Sequence, residues 1–241
     1  MNDNNFSYIP CELRSAVPNG AVTAADMVKD YKQGLTQEAI NDIVLGKAIG
    51  ASFSASSNSA VVNGNVAPTV SVSLMATVDP AVDSIDIYRN GVEQPIGHTE
   101  KSGETGVSSL NATNSVAVQI DAVGYRAEFK IGDYVKPLAQ SLFGVYFGYG
   151  DSDFSNLVMK GQMRTGVGGN YTINVQAASK KLYIVVPQNK NINHAYYGLL
   201  DLLFMNSSGT PINDAESIYN GYKYYESYAT YSNLNMTIKI E

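Results

Sequence analysis

From residue 69 the apolar side chains recur at every second position: Val70, Val72, Leu74, Ala76 and Val78 alternate with a largely polar set. A strand turns successive side chains to opposite faces, so this period buries one face and wets the other. A helix repeats every ~3.6 residues and could not use the pattern. Ile85 and Ile87 continue it into Asn90-Gly91, the pair favoured where both central residues of a tight hairpin need φ > 0. Val116, Val118 and Ile120 read as another strand, with Tyr125, Ala127, Phe129 and Ile131 as its hairpin partner around Gly124. Further strands are expected at 142–149, 171–176, 182–186, 217–231 and 234–240. Residues 195–205 form a continuous apolar run with few β-branched members, which predicts one short helix capped by Asn193. The expected fold is mainly β: a short N-terminal helical segment followed by β-sandwich-like domain(s), with one short helix in the C-terminal region.

Composition agrees with that architecture. Only 16% of residues are charged, against roughly 25% in ordinary soluble domains. The polar surface must then come from Asn, Ser, Thr and Gly, which favour turns and sheets over long helices. Tyrosine dominates the aromatics, with 17 Tyr, 7 Phe and no Trp. A net charge of −6 without a basic cluster is poorly matched to a phosphate backbone, so no nucleic-acid partner is expected. No run approaches the ~18 apolar residues of a membrane span. The segment Met1-Asn2-Asp3-Asn4-Asn5 lacks the basic and apolar regions of a signal peptide, so assembly in a bacterial cytoplasm is expected.

The chain divides by composition. Residues 1–20, with Pro10, Pro18 and Asn19-Gly20, read as an extended arm. Residues 21–48 carry two short helices. Thr23 is a candidate N-cap flanked by Val22 and Met27, and Thr36 is another flanked by Leu35 and Ile40. Both sets fit a cap with a hydrophobic staple. Ile40, Ile43 and Val44 form a narrow apolar stripe on the second helix. Helices this short need a partner to be stable, so Met27, Leu35, Ile40, Ile43 and Val44 are candidate attachment or oligomerisation residues. Small residues at 49–68 read as a linker, followed by a β subdomain at 69–135 and a C-terminal β domain at 136–241. The break between the last two is placed near Gly132-Asp133-Tyr134 and Pro137.

Little in the chain points to catalysis. Cys11 stands alone, which excludes a disulfide within one chain. His98 in a Gly-rich loop and His194 at the start of the expected helix are too few and too scattered for a zinc site. No metal, cofactor or catalytic set is expected. Gly166-Val167-Gly168-Gly169-Asn170 lacks the Lys-Ser/Thr of a phosphate-binding loop and reads as a hairpin turn. Asp151 and Asp153 in Gly150-Asp151-Ser152-Asp153 could serve as a carboxylate pair if held ~5–10 Å apart, although a solvated turn is the plainer reading. Tyr222, Tyr224, Tyr225 and Tyr228 belong to a dense tyrosine segment. They are candidates for an exposed ligand-binding surface, with cross-strand packing as the favoured alternative. On a strand Tyr222 and Tyr224 share one face and Tyr225 takes the other.

The stretch Val22-Thr23-Ala24-Ala25-Asp26-Met27-Val28-Lys29-Asp30-Tyr31, continuing through Leu35-Thr36-Gln37-Glu38-Ala39-Ile40-Asn41-Asp42-Ile43-Val44-Leu45, resembles a helix-turn-helix segment near the start of fibre and appendage proteins of crAss-like and other Bacteroidetes phages. Ser141 to Gly148, Leu182 to Pro187, Tyr197 to Asp201 and Gly221 to Tyr225 are similar to the strand, Pro-ended strand, helix and final Tyr-rich strand of such appendage domains. The resemblance implies a virion head fibre or tail fibre, usually homo-oligomeric, and carries over no catalytic residue. The expected partners are copies of the chain, as a trimer before a dimer, and capsid or other virion proteins, with host cell-surface glycans at the exposed end. A bacterial surface adhesin and a virion glycan hydrolase using Asp151 and Asp153 are the alternatives.

Overall fold

Small side chains at 49–68 predict a linker, yet strands occupy much of that tract. The computed structural model describes residues 49–202, 210–212 and 216–241. The expected arm at 1–20 and the expected helices at 21–48 lie outside the described residues, and so do Cys11, Met27, Leu35, Ile40, Ile43 and Val44. Strands β1 (Gly50–Ser57) and β2 (Ser59–Val61) fill the place of the linker. In β1 the residues Ser52, Ser54 and Ser56 are exposed while Phe53 is buried. Chain order continues with β3 (Thr69–Val82), β4 (Ser84–Arg89), β5 (Gly97–Glu100), β6 (Val107–Ala117), β7 (Val123–Ile131) and β8 (Tyr134–Gly150). Then come β9 (Val158–Arg164), β10 (Gly169–Val175), β11 (Lys181–Pro187), β12 (Ala195–Tyr197), β13 (Leu200–Asp201), β14 (Thr210–Pro211), β15 (Tyr222–Glu226) and β16 (Leu234–Ile240).

These strands build three sheets. The first has the order β1-β3-β6 and the third the order β10-β16-β12-β13. The largest runs β14-β15-β11-β8-β7-β4-β5, with β9 also on β8 and β2 on β9. Two cores separate the layers. Val70, Val72, Leu74, Ala76 and Val78 of β3 are buried as their spacing predicts, against Ile85, Ile87, Ala127 and Phe129 of the largest sheet. Tyr171, Ile173, Met236, Ile238 and Ile240 of the third sheet pack on the opposite side.

The second half of β8, from Leu142 onward, and β11 bind the layers together, because both are buried on two faces. Leu142 and Tyr146 enter the first core, while Phe143, Val145, Phe147 and Tyr149 enter the second. Tyr183 and Val185 face the first core, and Leu182, Ile184 and Val186 the second. A strand covered on both sides reads as a continuous apolar run, as 142–149 and 182–186 do. The expected break near 132–137 falls on a tight hairpin: Ile131 pairs with Tyr134 across Gly132 and Asp133, and Pro137 lies inside β8 opposite Glu128. The 17 residues of β8 therefore run from the expected subdomain into the expected C-terminal domain.

Three local expectations change. Strand β6 pairs with β3 (Val70 opposite Val116), whereas β7 pairs with β4 and β8, so β6 and β7 form no hairpin. Alternation fixes which face is buried and leaves the partner open. Asn90-Gly91 makes a turn with φ > 0 at Gly91 alone (80°) and a 3.1 Å bond from the Val92 N–H to the Arg89 carbonyl. That is type II geometry, and β4 rejoins β5 only at Ile87 opposite Gly97. The helix expected at 195–205 is instead a hairpin over 195–202. Tyr197 pairs with Leu200, Gly198 takes φ 61°, and the Leu202 N–H donates to the Ala195 carbonyl at 2.7 Å. A short apolar run reads equally as strand or helix, and here the edge of β16 is available to pair with β12. Residues 203–205 lie outside the described set.

Candidate functional site

The tyrosine segment divides between core and surface. Tyr222 and Tyr225 are each 1% exposed, which corrects their reading as a ligand-binding surface. They point from β15 to opposite faces, Tyr222 into the first core and Tyr225 into the second. Tyr224 is half-buried on the Tyr222 side and stacks on Phe154 with centroids 4.4 Å apart and planes at 9°. Tyr146 meets Tyr219 and Tyr222 edge-on at 5.0 and 5.4 Å, and its Oη donates to the Val118 carbonyl at 3.2 Å. Packing prevails because β15 runs beside β11 in the doubly covered layer. Of the four tyrosines only Tyr228, at 65%, is exposed.

Asp151 and Asp153 sit in the loop between β8 and β9, each engaged locally. The Asp151 carboxylate is ion-paired with Lys180 and accepts Asn156 Nδ2 at 2.5 Å. The Asn156 hydrogen bond, followed by that of Lys180, lowers its pKa below the ordinary aspartate value. Asp153 Oδ1 accepts the Ser155 N–H at 3.2 Å, closing an Asx turn. Between them Phe154 adopts φ 59°, an outlier for so bulky a residue. The Asp151 carbonyl accepts Tyr183 Oη, and the Phe154 N–H donates to the Asp151 carbonyl at 3.2 Å. The loop is thus held so that Phe154 covers the end of the aromatic cluster.

His98 belongs to strand β5 and not to a loop. Its Nδ1–H donates to Asp86 Oδ1 at 2.5 Å, and Lys130 Nζ donates to Asp86 Oδ2 at 2.6 Å. Asp86 is 5% exposed and lies directly opposite His98 and Glu128 in the register. Burial is the largest influence on this carboxyl and pushes its pKa up. The bonds from Lys130 and His98 together outweigh burial and hold it below 3.8. Asp83 is lowered too, by the Gly132 N–H and then by Lys101. A depressed carboxylate stabilises the fold in full above its unfolded pKa and loses that contribution as pH falls through its folded one. Urea midpoints should therefore hold from neutrality to about pH 4 and fall below it. Asp86→Asn should cost about 1 kcal/mol at neutral pH, since Lys130 and His98 are partly in solvent. It should also flatten the acid fall, and an unchanged acid profile would dismiss Asp86 as its source.

The other expected features are structural. Gly166 to Asn170 joins β9 to β10 across two sheets, so it is no hairpin turn. Arg164 Nη2 donates to the Gly168 carbonyl at 2.7 Å, and its guanidinium lies 4.4 Å from the Tyr171 ring centre. His194 precedes β12 and stacks on Tyr196 at 5.7 Å. Among the described residues no three His, Cys, Asp or Glu converge on a metal position, and no helix is long and apolar enough to cross a membrane.

The outer face of the first sheet is the surface that sequence reasoning missed. Residues 49–78 and 106–120 contain no Asp, Glu, Lys, Arg or His. Register sets their outward side chains in rows across the sheet. Ser52, Thr77 and Ser109 form one row; Ser54, Met75 and Asn111 the next; Ser56, Ser73 and Thr113 the third. Ser52 Oγ and Thr77 Oγ1 share a 2.6 Å hydrogen bond. A shallow groove follows Ser54, Ser56, Ser73, Met75, Asn111 and Thr113. The signal was present as Ser at every second position around Phe53, masked by the resemblance of small residues to a linker. Compared with known proteins, the chain matches no family model, no curated protein and no solved structure.

Proposed function

We propose that the chain is a structural subunit of a bacteriophage virion, a head fibre subunit. Residues 21–48 attach it to the particle or bundle its copies, and the β-rich region projects outward. One observation carries the reading: the middle layer is buried on both faces along β11 and the second half of β8. A body with two cores fused along shared strands resists deformation, which suits a projecting, load-bearing part. The resemblance of 21–45 and of the C-terminal strands to phage appendage proteins supports the same assignment. The glycan hydrolase alternative is weakened because both carboxylates are engaged structurally, Asp151 by Lys180 and Asn156 and Asp153 by the Ser155 N–H of its own turn.

Electron microscopy of phage particles labelled with antibody to this chain tests the reading. Label on the capsid is expected. Label at the tail tip would make it a tail fibre or receptor-binding subunit, and unlabelled particles would refute virion membership. Light scattering of the purified protein should give a trimer, and a monomer at high micromolar concentration would end the self-assembly assignment. A chain lacking residues 1–48 should fail to bind particles. Undiminished binding would remove the anchoring role from that segment.

A further inference from the structure

We propose that the outer face of the first sheet is a binding surface for a neutral polysaccharide. The inference rests on the virion reading for the source of its partner, a host surface, and on the residues of the face for its chemistry. Each Ser and Thr hydroxyl both donates and accepts, and Asn111 does both through its amide. Such a face matches a ligand whose own groups are hydroxyls that donate and accept. It offers a phosphate, a sulfate or a carboxylate hydrogen-bond donors but no countercharge, because its three rows carry no cation. Neutral groups also cost less to desolvate than charged ones when a ligand displaces their water.

Geometry favours a chain polymer. Neighbouring strands lie ~4.8 Å apart, so the Ser–Thr–Ser, Ser–Met–Asn and Ser–Ser–Thr rows present like chemistry at a regular interval. A polymer of repeating sugar units can use such a lattice where a compact ligand would use one row. Met75, 50% exposed in the middle row, supplies the polarizable apolar contact that the C–H face of a sugar ring requires. A second copy of this chain fits less well, because a stable interface needs an apolar or aromatic core and this face offers one Met. The contrast within the molecule is sharp. The strands β4, β5 and β7 carry Asp86, His98, Arg126, Glu128 and Lys130, while the first sheet carries no charge up to Val78. Each contact is weak, and an oligomer on a particle multiplies them.

The full assembled protein, applied to an array of neutral and acidic glycans at low and high salt, tests the inference. Binding to neutral glycans is expected, unchanged by salt because no ion pair is involved. Ser73→Glu should reduce it at least tenfold while circular dichroism and oligomeric state stay those of the parent. Thr113→Glu, on the next strand of the same row, should do likewise and serves if Ser73→Glu fails to fold. Glu100→Gln on β5 should change nothing. No signal on neutral glycans, a signal confined to acidic ones, or binding indifferent to both Ser73→Glu and Thr113→Glu would overturn the inference. Dissociation of the oligomer by these variants would also overturn it, making the face a contact between copies. A silent array with antibody-labelled particles refutes this inference alone, whereas neutral-glycan binding with unlabelled particles refutes the virion reading alone.

Discussion

Gly148→Ala should destabilise the protein by about 3 kcal/mol through a single added methyl group. A Cβ at Gly148 would run into the Val158 carbonyl oxygen and lie 2.9 Å from Met159 Cα. Both are backbone atoms of β9, which pairs with β8 in a fixed register at this point. No rotamer change relieves a clash with backbone, so β9 must shift, and it carries Met159 and Met163 of the first core with it. Gly144 is constrained in the same way: a Cβ there would meet the Gln119 carbonyl oxygen and Tyr222 Oη at 2.7 Å each. Gly144, Gly148 and Gly150 occupy alternate positions on the first-core face of β8, and a Cβ on any of them would meet a backbone carbonyl at 2.7 Å or less. Gly166→Ala is the control, with open space around its Cβ, and should stay within about 0.5 kcal/mol of the parent. Urea unfolding decides the matter. The midpoint of Gly148→Ala should fall with the slope unchanged. A loss no larger than that of Gly166→Ala would show that β9 yields freely.

The elements most legible in the sequence were those whose period is set by burial. The stretch 69–78 alternates because one face of β3 is core and the other water, and every one of its five inward residues is buried. The runs 142–149 and 182–186 are continuous because both faces are covered. What stayed hidden was pairing. Nothing in Val116, Val118 and Ile120 says that β6 sits on β3 and not on β7, since both arrangements bury the same face. The 195–202 hairpin was obscured by another ambiguity: Tyr197-Gly198-Leu199-Leu200 is too short to show a period, and its form is decided by the edge of β16.

The candidate surface was illegible for a third reason. Ser and Ala are common in linkers, so 49–68 reads as a connection unless Phe53 is recognised as the one large inward residue of a strand. The Tyr segment misleads in the other direction. Tyrosine suits both an exposed platform and a buried sheet, and the alternation of Tyr222, Tyr224 and Tyr225 could predict opposite faces but not that both faces are covered. Only the stacking of a third sheet on the second decides that, and it is a long-range event no local pattern contains.

Within the aromatic cluster, Tyr146→Ala should cost about 4 kcal/mol whereas Tyr222→Phe should cost nothing or stabilise slightly. Both rings are buried and they touch, so the lost ring accounts for the Tyr146→Ala cost, and the two Phe variants isolate what each hydroxyl does. Tyr146 fills the first core against Tyr219 and Tyr222, and truncation to Ala leaves a ring-sized cavity beside strands that are fixed on both faces and cannot collapse into it. Its hydroxyl donates to the Val118 carbonyl, so Tyr146→Phe should cost about 1 kcal/mol by leaving that acceptor without its donor. Tyr222 Oη is buried with no hydrogen-bond partner among the described residues, and Tyr225 Oη is the same in the second core. An unpaired buried hydroxyl carries its desolvation penalty without return, and removing it leaves the ring packing intact. Urea midpoints of Tyr146→Ala, Tyr146→Phe and Tyr222→Phe, read at constant slope, rank the three. A Tyr222→Phe loss as large as that of Tyr146→Phe would require a partner for Tyr222 Oη, and an ordered water at the Gly144 face would be the group to look for.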